Sequence, residues 1–164
     1  MTDNPRFIMM VGAPGSGKST WIDKFVSDNI HEWVIISTDI IIEAYAEKKG
    51  LIYSEAYKEI STKDVKSKFN IQLRQSLNKK LNIILDQTSM TIKSRRKKLS
   101  QIPKEYETAA IVFELERDEL RERAIKRKNE TKKEVSEKVI DDMIERYERP
   151  TKNEGFNTVR IINK

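Results

Sequence analysis

Short apolar runs alternate with helical segments from one end of the chain to the other. Each run is bounded by polar or glycine-containing stretches. Continuous apolar runs of this length are typical of strands that are buried on both faces of a sheet. The predicted strands are Phe7–Val11, Trp33–Ile36, Asn82–Asp86, Ala109–Leu115 and Val159–Ile162.

The segments between these runs have helical patterns. In residues 54–80, for example, Val65, Phe69, Leu73 and Leu77 recur every four residues on one face. The predicted helices are Lys18–Asp28, Asp39–Lys49, Ser54–Lys80, Thr91–Gln101, Asp118–Asn129 and Lys133–Glu148. Strands that alternate with helices favour right-handed crossovers. We therefore predict an α/β fold of three layers, with a mostly parallel five-stranded sheet covered by helices on both faces.

A glycine-rich segment follows the first predicted strand and leads into a helix. It fits the pattern G-x-x-x-x-G-K-S/T and contains three of the five glycines of the chain. Glycines let several backbone N–H groups converge on phosphate oxygens, and the helix adds its positive dipole end. This glycine loop consists of Gly12, Ala13, Pro14, Gly15, Ser16, Gly17, Lys18, Ser19 and Thr20. It predicts an ATP site in which Lys18 reaches the β- and γ-phosphates and Ser19 ligates Mg²⁺.

Two acids follow neighbouring apolar runs, at the sheet edge where parallel α/β folds bind ligands. Asp39 comes after the second strand, where it could accept a proton from an attacking hydroxyl or hold a magnesium-bound water. The alternative is that Asp39 is the N-cap of the following helix. Asp86 ends the third strand and is either a magnesium-side acid or an orienting partner for a basic residue. Its alternative is a loop or capping acid.

Basic residues are concentrated in two stretches, residues 91–104 and 121–133. Within the second, Arg123 and Arg127 are four residues apart on one predicted helix and share a face, from which they could stabilise charge on a transferred phosphoryl group. Both stretches could track an anionic backbone, although few aromatics interleave with them. A solvated surface is the alternative. The whole chain has 32 basic and 26 acidic residues, a net charge of +6 that favours anionic partners.

Length and composition exclude several classes of protein. The 164 residues are enough for one domain with its own core. With no cysteine and one histidine, a disulfide framework or a thiolate metal site is excluded and a histidine-based site is not expected. The longest unbroken apolar runs have five residues, whereas a membrane-spanning helix needs about 20. We therefore expect a single-domain cytoplasmic protein without a membrane association.

The motifs together resemble the 5'-hydroxyl polynucleotide kinases of the phage type. The resemblance rests on the glycine loop, Ser37-Thr38-Asp39, Leu85-Asp86-Gln87-Thr88-Ser89, the Arg123–Arg127 pair and Glu154-Gly155-Phe156.

This resemblance implies a single P-loop kinase domain over residues 1–164, with a helical lid at about 117–133 and a role in nucleic-acid repair. It further implies that Lys18 and Ser19 hold phosphate and metal and that Asp39 is the general base. Asp86 would help to position the acceptor, and Arg127, with Arg123, would cover the donor phosphates. The implied partner is DNA or RNA with a 5'-OH end.

The sequence departs from this family at the acceptor side. Thr38 and Ile42 stand where the family usually has arginines, and Ser89 stands where it usually has asparagine. The Asp86-Gln87-Thr88 run followed by Arg95-Arg96-Lys97 also resembles the nucleotide-binding module of heterogeneous nuclear ribonucleoprotein U. Two alternatives therefore stay open: a small-molecule or nucleoside kinase on the same fold, and an RNA-binding nucleotide switch without phosphotransfer.

Overall fold

The computed structural model describes residues 3–131 and 135–162, and its centre is one five-stranded parallel sheet. The order of the strands across the sheet is β2-β3-β1-β4-β5, so the first strand lies in the middle. The strands are β1 (Arg6–Val11), β2 (Trp33–Ser37), β3 (Asn82–Asp86), β4 (Glu107–Phe113) and β5 (Thr158–Ile162). All five predicted strands are confirmed.

The strand β4 begins and ends two residues earlier than the apolar run predicts. Its register pairs Arg6 with Glu107, and the strand stops at Phe113. Beyond that point, the Glu114 carboxylate accepts hydrogen bonds from Tyr147 and Arg149. Leu115 is apolar although it lies beyond the strand, because it packs against a small separate cluster that contains Ala13, Leu120 and Ile140.

Helices connect the strands. They are α1 (Lys18–Asp28), α2 (Thr38–Lys49), α3 (Tyr53–Glu59), α4 (Thr62–Asn78), α5 (Ile92–Leu99), α6 (Arg117–Thr131) and α7 (Glu137–Arg146), with a short 3-10 turn at Lys152–Glu154. No helix in the described part of the chain is both long and apolar enough to cross a membrane.

Alternate residues of the central strand β1 are buried in two different cores, one on each face of the sheet. Phe7 and Met9 point into the larger core, which includes residues of α2, α3 and α4. Ile8 and Met10 point into the other, which is covered by α1. Burial on both faces explains why this strand reads as a continuous apolar run rather than an alternating one. The predicted three-layer α/β architecture is confirmed.

The predicted long helix over Ser54–Lys80 is wrong, because the structure breaks it into α3 and α4. Ile60 is extended and buried, and Ser61 caps α4 by accepting a 3.0 Å hydrogen bond from the Asp64 backbone N–H through its Oγ. The serine was a capping signal inside an apparently continuous periodic pattern. Because of this break, α3 packs as a helix separate from α4.

The last predicted helix is shorter than expected. Ser136 caps α7 by accepting a hydrogen bond from Val139 N–H, and the helix ends at Arg146. Residues 132–134, which belong to the predicted helix at Lys133–Glu148 and to the end of the predicted lid, lie outside the described residues. Within the described residues, the predicted lid segment forms the helix α6.

Candidate active site

The glycine loop joins β1 to α1 at the carboxyl edge of the sheet, and three of its positions require glycine. Gly15 and Gly17 have φ angles of +78° and +109°, in the left-handed region that glycine adopts without strain. A Cβ on Gly12 would lie 2.6 Å from Ser16 Oγ and 3.1 Å from the carbonyl oxygen of Phe113. The Gly12 N–H donates to the Thr88 carbonyl at 3.0 Å, which ties the loop to the segment after β3.

Lys18 lies beneath this loop and is largely removed from solvent. Its side-chain ammonium donates to the carbonyl oxygens of Gly12 and Ala13 at 2.8 and 3.0 Å. Burial lowers the pKa of Lys18 to about 8; Asp86 opposes that shift, Arg127 adds to it and Asp39 opposes it. A poorly solvated cation in this position would gain strongly from an anionic ligand.

Ser16 and Ser19 occupy different environments in the loop. Ser16 is buried, and in the described structure its hydroxyl oxygen has no hydrogen-bond partner. Ser19 lies exposed in the first turn of α1. Within the described ranges, no group of three or more acidic or histidine side chains could hold a metal ion.

Asp86 ends β3, and Asp39 lies two residues beyond the end of the neighbouring strand β2, so both are at the carboxyl edge of the sheet, as the sequence predicts. Asp86 ends β3 and is paired in register with Ser37, the last residue of β2. Burial raises the pKa of Asp86, although the Lys18 ammonium opposes that shift. The charges of Lys18, Asp39, Asp86 and Arg127 therefore influence one another across one site.

The alternative that Asp39 caps a helix is wrong. The helix α2 begins at Thr38, and its N-cap is Ser37, which makes no side-chain capping bond. Asp39 Oδ1 instead accepts a 2.6 Å hydrogen bond from the Tyr53 hydroxyl, and its Oδ2 lies 3.7 Å from Arg127 Nη2. The carboxylate is thus held between α3 and α6.

Sequence reasoning missed Tyr53. It is the first residue of α3, and burial together with the hydrogen bond to Asp39 raises the pKa of its hydroxyl. Nothing in the sequence connects Tyr53 with Asp39, since the contact depends on the packing of α3 against α2. The carboxylate therefore has a positioning partner that only the structure reveals.

Arg123 and Arg127 both turn toward the site from α6, rather than forming a solvated face. Arg123 Nη1 donates to the Gly15 carbonyl at 3.1 Å, and its Nη2 donates to Glu119 at 2.8 Å. Arg127 is the residue that faces Asp39. One helix therefore reaches both the glycine loop and the acid that follows β2.

The first basic stretch is only partly a surface feature. Arg95 is fully buried, and its guanidinium forms two hydrogen bonds of 2.7 and 2.8 Å with the buried Glu154. Lys98 is half-buried and donates to Ser89 Oγ at 3.0 Å, and burial lowers its pKa to about 8. The exposed members are Lys93, Arg96, Lys97 and Lys104.

Comparison with known proteins agrees with this architecture. A chain of the Pnkp1/Rnl/Hen1 RNA repair complex superimposes with a TM-score of 0.70 at 21% identity, covering 89% of this chain and 45% of that chain. A gluconokinase from Sinorhizobium meliloti 1021 gives a TM-score of 0.58 at 14% identity, covering 98% and 85% of the two chains. A fungal RNA kinase gives a TM-score of 0.56 at 17% identity, covering 98% and 75%.

These likenesses show the fold, which is that of the P-loop kinases. The protein spans less than half the length of the matching chain in the RNA repair complex. A family model described as AAA domain matches residues 7–150. Because this match covers most of the sequence, the chain belongs to the AAA domain family.

Proposed function

We propose that the protein is an ATP-dependent kinase that transfers the γ-phosphoryl group to the 5'-hydroxyl end of DNA or RNA. The observation that carries this proposal is the ion pair of Asp39 with Arg127 beside the glycine loop, near enough to the buried Lys18 for both charges to influence its pKa. These groups supply a proton acceptor and two cations around the place where a γ-phosphate would lie. Phosphoryl transfer needs little more than such positioning and charge stabilisation.

The loop fits a nucleotide. Its buried ammonium already contacts two loop carbonyls, and the unpartnered Ser16 hydroxyl could donate to a phosphate oxygen. Arg123, which is bonded to the Gly15 carbonyl, would lie beside the bound donor. Ser19 would be the protein ligand of Mg²⁺, which when bound supplies positive charge to the β- and γ-oxygens.

The acceptor chemistry follows from the surroundings of Asp39. Its Oδ1 accepts the hydrogen bond from Tyr53, whereas its Oδ2 lies 3.7 Å from Arg127 Nη2, beyond hydrogen-bond distance, so Oδ2 is the atom that would receive the proton of the attacking hydroxyl. The new bond forms between that hydroxyl oxygen and the γ-phosphorus, while the bond from phosphorus to the bridging β–γ oxygen breaks. Arg127 would stabilise the negative charge on the phosphoryl oxygens.

A polynucleotide acceptor is supported by the net charge of +6 and by the exposed lysines and arginine of α5. The likenesses to an RNA repair complex and to an RNA kinase support the same acceptor class. They do so as analogies, because the identities are low.

One observation favours a second candidate, a small-molecule kinase. Ile42, which stands where the resembled kinases usually have an acceptor-phosphate arginine, is only 4% exposed and packs in the larger core. Its side chain therefore lies in the core rather than at an acceptor phosphate. The likeness to a gluconokinase belongs with this alternative.

A labelling panel separates the candidates. The protein is incubated with γ-labelled ATP, Mg²⁺ and, in parallel, 5'-OH oligonucleotides of DNA and RNA, nucleosides and small polyols. We expect label on the oligonucleotides and none on oligonucleotides that already carry a 5'-phosphate, which are the matched control. Label confined to a nucleoside or polyol would support the small-molecule kinase. Nucleotide binding without any transfer would support the RNA-binding switch.

The pKa of Lys18 predicts how nucleotide binding depends on pH. In the free protein this pKa is lowered to about 8, whereas bound phosphates would favour the charged ammonium and raise it. The complex then holds more protons than the free protein above that pH. ATP affinity should therefore fall as the pH rises above about 8, by up to about tenfold per unit, with uptake of a proton. Calorimetry in buffers of different ionisation enthalpy measures both effects.

Lys98 gives the matched control for this measurement, because burial also lowers its pKa to about 8 but its ammonium donates to Ser89 rather than to a carbonyl of the glycine loop. The Lys98→Ala variant should keep the pH profile of the wild type. An ATP affinity that stays constant between pH 7 and 10 would contradict the assignment of Lys18.

A further inference from the structure

One tyrosine of the described chain differs from the others, because its ring is exposed and its hydroxyl makes no hydrogen bond. The other four tyrosine hydroxyls donate hydrogen bonds within the protein: Tyr45 to Glu59, Tyr53 to Asp39, Tyr106 to the Leu81 carbonyl and Tyr147 to Glu114. The residue Tyr57 is 63% exposed. In the part of the chain that the structure describes, its hydroxyl makes no hydrogen bond.

The exposed ring is nevertheless held in a defined place. Tyr57 lies one turn after Tyr53 on α3, and the two rings stack with their centroids 6.2 Å apart and their planes at 26°. Ala56, which precedes Tyr57 on the helix, and Ile60, which follows the helix, are buried in the larger core and fix its orientation. The two stacked rings are called the tyrosine pair below.

The tyrosine pair lies next to the carboxylate of Asp39, the candidate proton acceptor. The hydroxyl of Tyr53 contacts Asp39 at 2.6 Å, and the exposed ring of Tyr57 stacks on the Tyr53 ring one turn further along α3. An acceptor whose hydroxyl approaches Asp39 along α3 would pass close to these rings. A terminal nucleoside that presents its 5'-hydroxyl there has its base about one sugar away.

We propose that the tyrosine pair is a stacking subsite for the base of the acceptor's 5'-terminal nucleoside, with Tyr57 as its contact surface. This inference rests on the proposed function and narrows it to acceptors that carry a base. Aromatic rings stack on every base, so the subsite would hold the end of a strand without reading its sequence. A polyol or sugar acid offers no flat π-face for the ring to cover. The subsite also places aromatic contacts on α3, apart from the two basic stretches.

The test compares Tyr57→Ala with Tyr57→Phe on two acceptors. The acceptors are 5'-OH oligonucleotides that are identical except that one carries a base and the other an abasic sugar at the 5'-terminal position. We expect Tyr57→Ala to lower kcat/KM for the base-bearing acceptor by roughly 5- to 150-fold, the usual range for the loss of one stacked base. Tyr57→Phe keeps the ring and should stay near the wild type. The abasic acceptor should be poor for the wild type and no poorer for Tyr57→Ala.

A control variant and a binding assay test whether the effect is specific to stacking. Ile71→Ala removes another exposed apolar side chain, 48% exposed on α4, and should change neither acceptor's kinetics. A fluorescent 2-aminopurine at the 5' end should be quenched on binding to the wild type and Tyr57→Phe, and much less on binding to Tyr57→Ala. Because the Tyr57 ring is exposed, all variants should keep the far-ultraviolet circular dichroism and the ATP affinity of the wild type.

The outcomes distinguish this inference from the proposed function. If the wild type labels the base-bearing oligonucleotide and Tyr57→Ala labels it equally well, the stacking subsite is overturned and the kinase stands. If Tyr57→Ala loses as much on the abasic acceptor as on the base-bearing one, the ring acts through Tyr53 and Asp39 rather than on a base, and the subsite is again overturned. If the wild type labels no polynucleotide, the proposed function fails first and the subsite with it.

Discussion

The Lys18→Ala variant should lose ATP-dependent phosphotransfer by at least about 10²-fold while it keeps its fold. Lys18 is the buried cation beneath the glycine loop, and among the described residues its ammonium contacts only loop carbonyls at hydrogen-bond distance. With phosphates bound, that ammonium would make charge-assisted contacts that the alanine variant cannot replace. Steady-state transfer from γ-labelled ATP to a 5'-OH oligonucleotide measures the loss.

Stability should respond differently from turnover. Burial lowers the pKa of Lys18, which means that the folded protein disfavours its charged form. Removing this ammonium should therefore cost little free energy of unfolding. Lys98→Ala is the matched control, because it removes another lysine with a pKa of about 8 and should leave transfer near the wild-type rate. A folded Lys18→Ala variant with near-normal turnover would remove the lysine from the site.

The glycine loop and the strand-end acids could be predicted from the sequence because their signals are local. The loop requires glycines at fixed spacing, and Asp86 lies at the very end of an apolar run. Parallel strands bring their carboxyl ends to one edge, so the placement of Asp39 and Asp86 at the same edge of the sheet follows from topology alone. The spacing of Arg123 and Arg127 likewise predicted that they share a helix face.

The surroundings of these residues could not be predicted in the same way, because they depend on packing. Tyr53 meets Asp39 only because the chain breaks at Ile60–Ser61 and α3 packs separately from α4. A periodic apolar pattern does not reveal a capping serine that interrupts it. The error in the helix prediction and the missed tyrosine therefore have one cause.

Arg95 shows a second limit of local patterns. It lies in a run of basic residues that predicts a charged surface, yet its guanidinium is fully buried against Glu154, 59 residues away along the chain. A buried ion pair needs good geometry to offset the cost of desolvation. Here two hydrogen bonds to the carboxylate and a third, from Arg95 to the Ser89 carbonyl, provide it. The pair thereby fastens α5 and the Lys152–Glu154 turn to the segment after β3, beside the candidate site.

The Asp39→Asn variant should separate phosphotransfer from nucleotide binding. Asparagine keeps the size of the side chain, and its oxygen can still accept the hydrogen bond from Tyr53. It cannot take the proton of an attacking hydroxyl, and it removes the negative charge opposite Arg127. Transfer to the acceptor should fall by roughly 10²-fold or more, whereas ATP affinity should stay near the wild type. Single-turnover transfer and equilibrium ATP binding measure the two quantities.

The structure makes this substitution decisive, because Ser37 rather than Asp39 is the N-cap of α2. A change in folding therefore cannot be attributed to a lost capping bond. Asp64→Asn is the matched control: it removes the same charge from the first turn of α4, at an exposed position, and should leave transfer unchanged. If Asp39→Asn transfers phosphate at a near-normal rate, Asp39 is not the proton acceptor. The tyrosine pair would then lie beside a residue without a catalytic role, and the case for a polynucleotide kinase would lose its main support.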